Sequence, residues 1–150
     1  MFKREIKQFH SMHATVITQE SDCKRTENDG SIRYFKRKTI HFVSYKTLML
    51  CICVDTFEDG FVDVHARVSK YLKYSPTTSR QVARFIREYC SDDLRECIYK
   101  TFETNEYAYN GNCRAQKLTD NCLTTDVYKS IFSIWRFDNA ELLTYDGRCF

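Results

Sequence analysis

The residues best suited to chemistry in this sequence are hydroxyls that open a helical pattern. The stretch 74–89 reads YSPTTSRQVARFIREY, so Arg80 follows directly on Thr77, Thr78 and Ser79. Hydroxyls, unpaired N–H groups and a guanidinium at a helix N-terminus can bind an anion such as phosphate. The same hydroxyls also cap helices and bond the ends of neighbouring hairpins. The motif therefore has both a functional and a structural interpretation.

Basic residues provide a second candidate, which is a surface. The net charge is only +3, but the cations concentrate on a predicted hairpin and on the first long helix. Arg80, Arg84 and Arg87 have a spacing that places them on one helix face. Cations interleaved with aromatic rings, as in RYFKRK and KYLKY, favour single-stranded nucleic acid, because phosphates meet charge and bases stack on rings. The predicted binding residues are Arg33, Lys36, Arg37, Lys38, Arg67, Lys70, Lys73, Thr77, Thr78, Ser79, Arg80, Arg84 and Arg87.

The same charge pattern has two other interpretations. The cations are typical of solvated strand and helix faces, and they also suit an acidic protein partner. The sequence leaves these alternatives open, and it is compatible with a homo-oligomer.

Catalytic motifs of the common kinds do not occur in the sequence. It has no phosphate-binding loop, no nucleophile elbow and no H-E-x-x-H. We interpret as structural or solvated the histidines His10, His13, His41 and His65 and the acidic residues Asp55, Glu58, Asp59 and Asp63. The prediction is a protein without catalytic residues, metal ligands or cofactor. The alternative is a small metal-dependent nuclease or nucleotide-modifying enzyme that uses His65, Asp63 and the hydroxyl cluster.

The cysteines are interpreted as reduced thiols. Neither an export signal nor a C-x-x-C pair is present, and no histidine lies at zinc-finger spacing from a cysteine. A zinc site assembled from distant cysteines is the alternative. The cysteines are Cys23, Cys51, Cys53, Cys90, Cys97, Cys113, Cys122 and Cys149.

Strands are predicted first and helices later. A short N-terminal helix is predicted from Phe2, Ile6 and Phe9, and a strand from 13–18. Asp29-Gly30 is predicted to close a turn within a polar loop. Ser75 and Ser91 are predicted to cap two helices. The remaining predicted elements are a polar loop at 19–31, a central hairpin at 39–72, a loop at 103–116, a helix at 124–137 and a strand at 140–146.

These elements predict an α+β fold, with an antiparallel β-sheet built on the central hairpin 39–72 and helices packed on one face. The length of 150 residues and the single proline predict one domain over residues 1–150. The longest apolar run, LMLCICV at 48–54, is far shorter than the ~20 residues of a membrane span. A cytoplasmic protein without a membrane partner is therefore expected.

Two motifs resemble an uncharacterised domain of tailed bacteriophages and related mobile elements. Members of that family show an S-Y-x-T strand, a hairpin and a helix that opens with Y-S-x-T-T-S-[RK]-H. The matching residues are Ser44, Tyr45, Thr47, Tyr74, Ser75, Thr77, Thr78, Ser79 and Arg80. This chain departs from the pattern at Gln81, where the family has histidine. The resemblance implies a phage-type origin, action in the host cytoplasm and no established activity.

Together these observations predict a small non-enzymatic accessory protein of phage type. It would bind a macromolecule through the basic hairpin and helix surface, with nucleic acid favoured over a host protein. Antagonism of a host system is the role expected from analogy.

Overall fold

The computed structural model describes residues 3–10, 13–44 and 47–118. Strands account for 52% of these described residues and helices for 24%. The strands are β1 (Lys3–Gln8), β2 (Ala14–Thr26), β3 (Ile32–Ser44), β4 (Thr47–Phe57), β5 (Val62–Val68), β6 (Ala108–Asn110) and β7 (Cys113–Lys117). The helices are α1 (Pro76–Tyr89) and α2 (Asp92–Thr104).

The strands form one sheet in the order β1-β2-β3-β4-β5-β7-β6. The first five strands are consecutive neighbours, and each pair of them is antiparallel. β7 lies parallel to β5 and antiparallel to β6. Parallel neighbours need a long crossover connection, and here α1, α2 and β6 lie between β5 and β7 in the chain.

The predicted fold class is wrong. The frame of the described residues is a seven-stranded mixed sheet rather than an antiparallel sheet built on a central hairpin 39–72, and strands predominate over helices. The error arose because strand residues that carry charge on both faces lack the apolar alternation by which strands are recognised.

The long β2–β3 hairpin shows this error most clearly. Its outer half was predicted as a loop at 19–31, but its residues pair in register as far as Thr26 with Ile32. Cross-strand neighbours of opposite charge stabilise this half, as Glu20 does opposite Lys38. The predicted turn is confirmed, since Gly30 has a φ of +88° there.

The two ends of the described sheet also differ from prediction. The predicted N-terminal helix is wrong, because β1 pairs with β2 and thereby gains hydrogen bonds that a short isolated helix does not secure. Phe9 enters the core all the same, with its ring centroid 5.6 Å from that of Phe42 and 6.0 Å from that of Phe85. The predicted loop at 103–116 is wrong where it contains β6 and the first residues of β7.

Both helix starts are confirmed. The Ser75 hydroxyl accepts a hydrogen bond of 3.1 Å from the N–H of Thr78, and Pro76 is the first residue of α1. The Ser91 hydroxyl accepts one of 3.2 Å from the N–H of Leu94 at the start of α2. Each serine thus satisfies one of the N–H groups that a helix start leaves unpaired.

Side chains from both helices share one core with the sheet. Phe85 of α1 stacks on Phe42 of β3, with ring centroids 4.5 Å apart and an angle of 17° between the planes. Tyr89 continues the stack, 4.8 Å from Phe85. The buried residues of this core include Val16, Ile40, Leu50, Ile52, Ala66, Val68, Leu72, Val82, Ile86, Leu94, Cys97, Ile98 and Ala115.

The opposite face of the sheet is unusually polar for its burial. Strand alternation directs Gln19, Thr39 and His41 to this face, and each is at most 1% exposed. Among the described residues, the side-chain amide of Gln19 and the hydroxyl of Thr39 are buried without a hydrogen-bond partner. Buried polar groups normally have partners, so these two groups are exceptions within the described part of the sheet.

The remaining predictions about the chain have mixed outcomes. The described cysteines Cys23, Cys51, Cys53, Cys90, Cys97 and Cys113 are free thiols, as predicted. The predicted helix at 124–137, the predicted strand at 140–146, Cys122 and Cys149 lie outside the described residues. No helix among the described residues is long and apolar enough to cross a membrane.

Candidate nucleic-acid interface

A cavity of about 510 Å³ lies at the N-terminal end of α1. We call it the hydroxyl pocket, because every lining residue in the described part of the chain, with the exception of Met49, carries a hydroxyl group. The strands β3 and β4 contribute Ser44, Thr47 and Met49. The segment that leads into α1 contributes Tyr71, Tyr74, Ser75, Thr77 and Thr78.

The cap and first turn of α1 form one wall of the hydroxyl pocket. Ser75 caps α1, and its hydroxyl also lies 3.1 Å from that of Thr78, which is buried. Thr77 is exposed on the cavity side. The first turn of α1 contains no acidic residue, so the partial positive charge of the helix N-terminus is not neutralised there.

The segment 69–75 is held by one buried leucine and one buried serine. Leu72 is fully buried in the core, and the N–H of Ser69 donates a 3.0 Å hydrogen bond to the carbonyl of Met49 on β4. With the segment anchored at these points, Tyr71 and Tyr74 are 39% and 78% exposed. Their rings meet edge to face, with centroids 6.1 Å apart. The two tyrosines therefore form an exposed aromatic rim on the pocket.

The sheet side of the pocket is linked directly to α1. The Ser44 hydroxyl donates a 2.5 Å hydrogen bond to the side-chain oxygen of Gln81. Gln81 stands where the resembling family has histidine, so in this chain an amide takes that position and bonds to the strand. Within the described residues, the hydroxyls of Thr47 and Thr77 have no hydrogen-bond partner, which leaves them available to a ligand.

Cations precede α1 in the chain and continue along it. The stretch 69–89 contains five basic residues and one acidic residue. Lys70 lies with its Nζ 5.1 Å from the ring centroid of Tyr71, and Lys73 with its Nζ 5.4 Å from that of Tyr99. Arg80, Arg84 and Arg87 are exposed on α1, and we call them the arginine face.

Only one residue of the arginine face is paired within the described part of the chain. Arg84 lies 3.7 Å from Glu88, at a spacing of one helical turn. Such exposed pairs contribute little. Arg80 and Arg87 form no ion pair among the described residues, so their charge remains available to a partner.

The predicted binding residues of β3 lie elsewhere and face local acids. Arg37 donates two hydrogen bonds, of 2.9 and 3.0 Å, to the carboxylate of Asp55. These bonds raise the pKa of Arg37. Arg33 pairs with Asp59 at 3.2 Å. The lysines of this strand stand opposite acidic residues of β2 in register, Lys36 opposite Asp22 and Lys38 opposite Glu20.

Arg67 belongs neither to the basic residues of β3 nor to those at 69–89. It lies on β5 on the polar face of the sheet, in register with Cys51 and Gln116. The predicted residues Thr77, Thr78, Ser79, Arg80, Arg84 and Arg87 lie on α1, and Lys70 and Lys73 lie on the segment that leads into it. Of the whole predicted set, Thr77 and Thr78 line the hydroxyl pocket. The remaining predicted residues lie on β3 and β5, namely Arg33, Lys36, Arg37, Lys38 and Arg67.

The residues of the enzyme alternative also lie apart from the hydroxyl pocket. His65 lies 3.1 Å from the side-chain oxygen of Gln116, and Asp63 accepts a 2.6 Å hydrogen bond from Arg114, all on the polar face. Burial lowers the pKa of His65, and the positive charges of Arg114 and Arg67 lower it further. Among the described residues, no three His, Cys, Asp or Glu side chains form a group that could hold a metal ion.

The sequence interpretation missed Ser44, Thr47, Met49, Tyr71, Tyr74 and Ser75 as lining residues. The signal that pointed to most of them was the pair of motifs, since Ser44 and Thr47 belong to one and Tyr74 and Ser75 to the other. The fold places these two motifs on opposite walls of one cavity.

Comparison with protein-family models, with curated proteins and with solved structures finds no match to this chain. The resemblance to a phage domain stays a prediction, as do the host setting and the antagonism of a host system.

Proposed function

We propose that this protein binds single-stranded nucleic acid at the hydroxyl pocket and along the arginine face of α1. The observation that carries the proposal is the position of the exposed Tyr71 and Tyr74 beside Lys70 and an α1 whose first turn lacks acids. Single strands are bound by the combination of a cationic groove and aromatic stacking.

The charge of this region suits a phosphate backbone. Thr77, Arg80 and Arg84 recur at a spacing that places them on one side of the helix. A strand that enters at the pocket can follow this side of α1 with its phosphates toward the guanidinium groups. Because binding releases counterions, affinity would fall steeply with salt, with a slope of about −0.7 per phosphate contact for single strands.

The exposed tyrosines favour nucleic acid over an acidic protein partner. A protein carboxylate needs only the cations, whereas a base gains from the face of a ring, and stacking is worth about 1–3 kcal/mol per base. Tyr74 is 78% exposed, and neither strand nor helix of the described chain covers it.

A salt-dependent anisotropy titration with single-stranded RNA and DNA tests the proposal. The double variant Arg80→Glu with Arg87→Glu is expected to weaken binding by at least tenfold and to flatten the salt slope. The matched control is Lys36→Glu with Lys38→Glu, which makes the same charge change on β3 and should leave affinity within about twofold.

Equal losses in both double variants would contradict the proposed surface, since they would show attraction to net charge alone. An acidic polypeptide, such as polyglutamate, that binds as tightly as the strand would instead favour the protein-partner interpretation.

A further inference from the structure

We propose that the hydroxyl pocket takes one unstacked base of the bound strand, with the sugar-phosphate left at the rim. This inference rests on the proposed function, and it names the part of the strand that the cavity holds.

The size of the pocket suits one small planar group. Its volume of about 510 Å³ lies within the range of about 300–1,000 Å³ that is usual for small-molecule sites. Met49, buried on β4, supplies an apolar and polarisable surface inside it. A base can lie against Met49 and Tyr71, and these contacts do not depend on which base it is.

The polar groups of the wall suit the edge of a base. Each hydroxyl can both donate and accept a hydrogen bond, and those of Thr47 and Thr77 have no partner within the described residues. Such groups can bond to the donors of one base and to the acceptors of another. The pocket is therefore expected to tolerate all four bases.

The rim suits the phosphate that follows the base. Lys70 is exposed beside Tyr71, and Arg80 lies one helical turn beyond Thr77. A base inside the cavity thus leaves its phosphate between two cations. This arrangement explains why the aromatic rim, the hydroxyls and the charge occur at the same end of α1.

The test uses the full chain and a short single strand that carries one 2-aminopurine, a base whose fluorescence is quenched when it stacks. Abasic sites flank this base in the strand, so the free probe is unstacked and its fluorescence falls only when it stacks on the protein. Binding to the unmodified protein is expected to quench the probe. Tyr71→Ala should remove the quenching and weaken binding roughly tenfold. Thr77→Phe, at an exposed helix position, should block the cavity and remove the quenching while Tyr71 is retained.

The matched control is Tyr109→Ala. Tyr109 and Tyr107 form a second exposed tyrosine pair, with ring centroids 6.2 Å apart, but neither lines the hydroxyl pocket. This control should leave both quenching and affinity unchanged.

Two other outcomes separate the inference from the function on which it rests. Tight binding without quenching, or quenching that survives Thr77→Phe, would overturn the base pocket and leave strand binding intact. Absence of strand binding at low salt would overturn the proposed function and the pocket together.

Discussion

At the scale of single residues, the polar face of the sheet contains groups that reduce stability. The Thr39 hydroxyl is buried without a hydrogen-bond partner in the described part of the chain, and such a group costs about 1–3 kcal/mol. Thr39→Val is therefore expected to raise the melting temperature in differential scanning calorimetry. The control is Thr56→Val on β4, where the exposed hydroxyl is already solvated and the change should be small. A lower melting temperature for Thr39→Val would show that the hydroxyl has a stabilising partner.

Loss of the cation should cost more stability in the Arg37–Asp55 pair than in the Arg33–Asp59 pair of the same strand. Asp55 is buried and the guanidinium of Arg37 bonds to both of its oxygens. Arg37→Met leaves that carboxylate without its cation, which is expected to cost about 3 kcal/mol, the lower end of the range for buried pairs. Arg33→Met is the control, because Asp59 is solvated. Urea denaturation of the two variants measures the difference, and equal losses would contradict this account.

The surroundings of His65 make the stability of the fold depend on pH. Burial lowers the pKa of His65, with Arg114 and Arg67 acting in the same direction. The unfolded chain therefore binds this proton more tightly than the folded one, so stability is full above about pH 6.5, the ordinary pKa of histidine. It is lost as the pH falls from there toward the lowered pKa.

His65→Gln should remove part of that acid sensitivity. The urea midpoints of the two proteins, compared between pH 7.5 and pH 5, measure the effect. The unmodified protein should lose more stability over this range than the variant. An equal pH dependence would show that His65 does not cause it.

At the scale of elements, the start of α1 combines a structural and a functional role. Ser75→Ala removes a cap and should cost about 1 kcal/mol, as should Ser91→Ala at the start of α2. Only the first substitution alters the hydroxyl pocket. We expect both variants to lose similar stability in urea, while only Ser75→Ala weakens strand binding. A binding loss of the same size in Ser91→Ala would mean that destabilisation alone explains the effect.

Elements with a local signal in the sequence were predictable, and strands whose only sign is their pairing with other strands were not. The serine caps and the Asp29-Gly30 turn use chemistry that acts over a few residues. The outer half of β2 is a strand because β3 lies beside it in register, and its own polar residues give no sign of this. The short β6 and the parallel β7 depend in the same way on neighbours distant in the chain.

The residues of the candidate site were likewise predictable only where the sequence carries a local signal. Thr77 and the arginine face were recognised because a helical spacing reveals them directly. The strand wall, with Thr47 and Met49, was missed because only the register of β3 with β4 brings it to α1. Arg37 was misplaced for a related reason, since only the register of β3 with β4 shows that Asp55 lies directly opposite it and pairs with it.

At the scale of the whole molecule, the cations form two populations with different surroundings. Those of β3 face acids across or along the sheet, whereas those at 69–89 outnumber their acids by five to one. The net charge of +3 therefore understates the positive charge along α1 and the segment before it. A protein that attracts polyanions to this region needs no large overall charge.

Photo-crosslinking locates the bound strand on the protein directly. A single strand that contains 4-thiouridine is irradiated with the full chain, and the attached peptides are mapped by mass spectrometry. We expect attachment within 69–80, at Tyr71 or Tyr74 above all, with a lower yield in the Arg80→Glu, Arg87→Glu variant. Attachment at the hairpin tips near Tyr34 and Phe61, with none within 69–80, would contradict it.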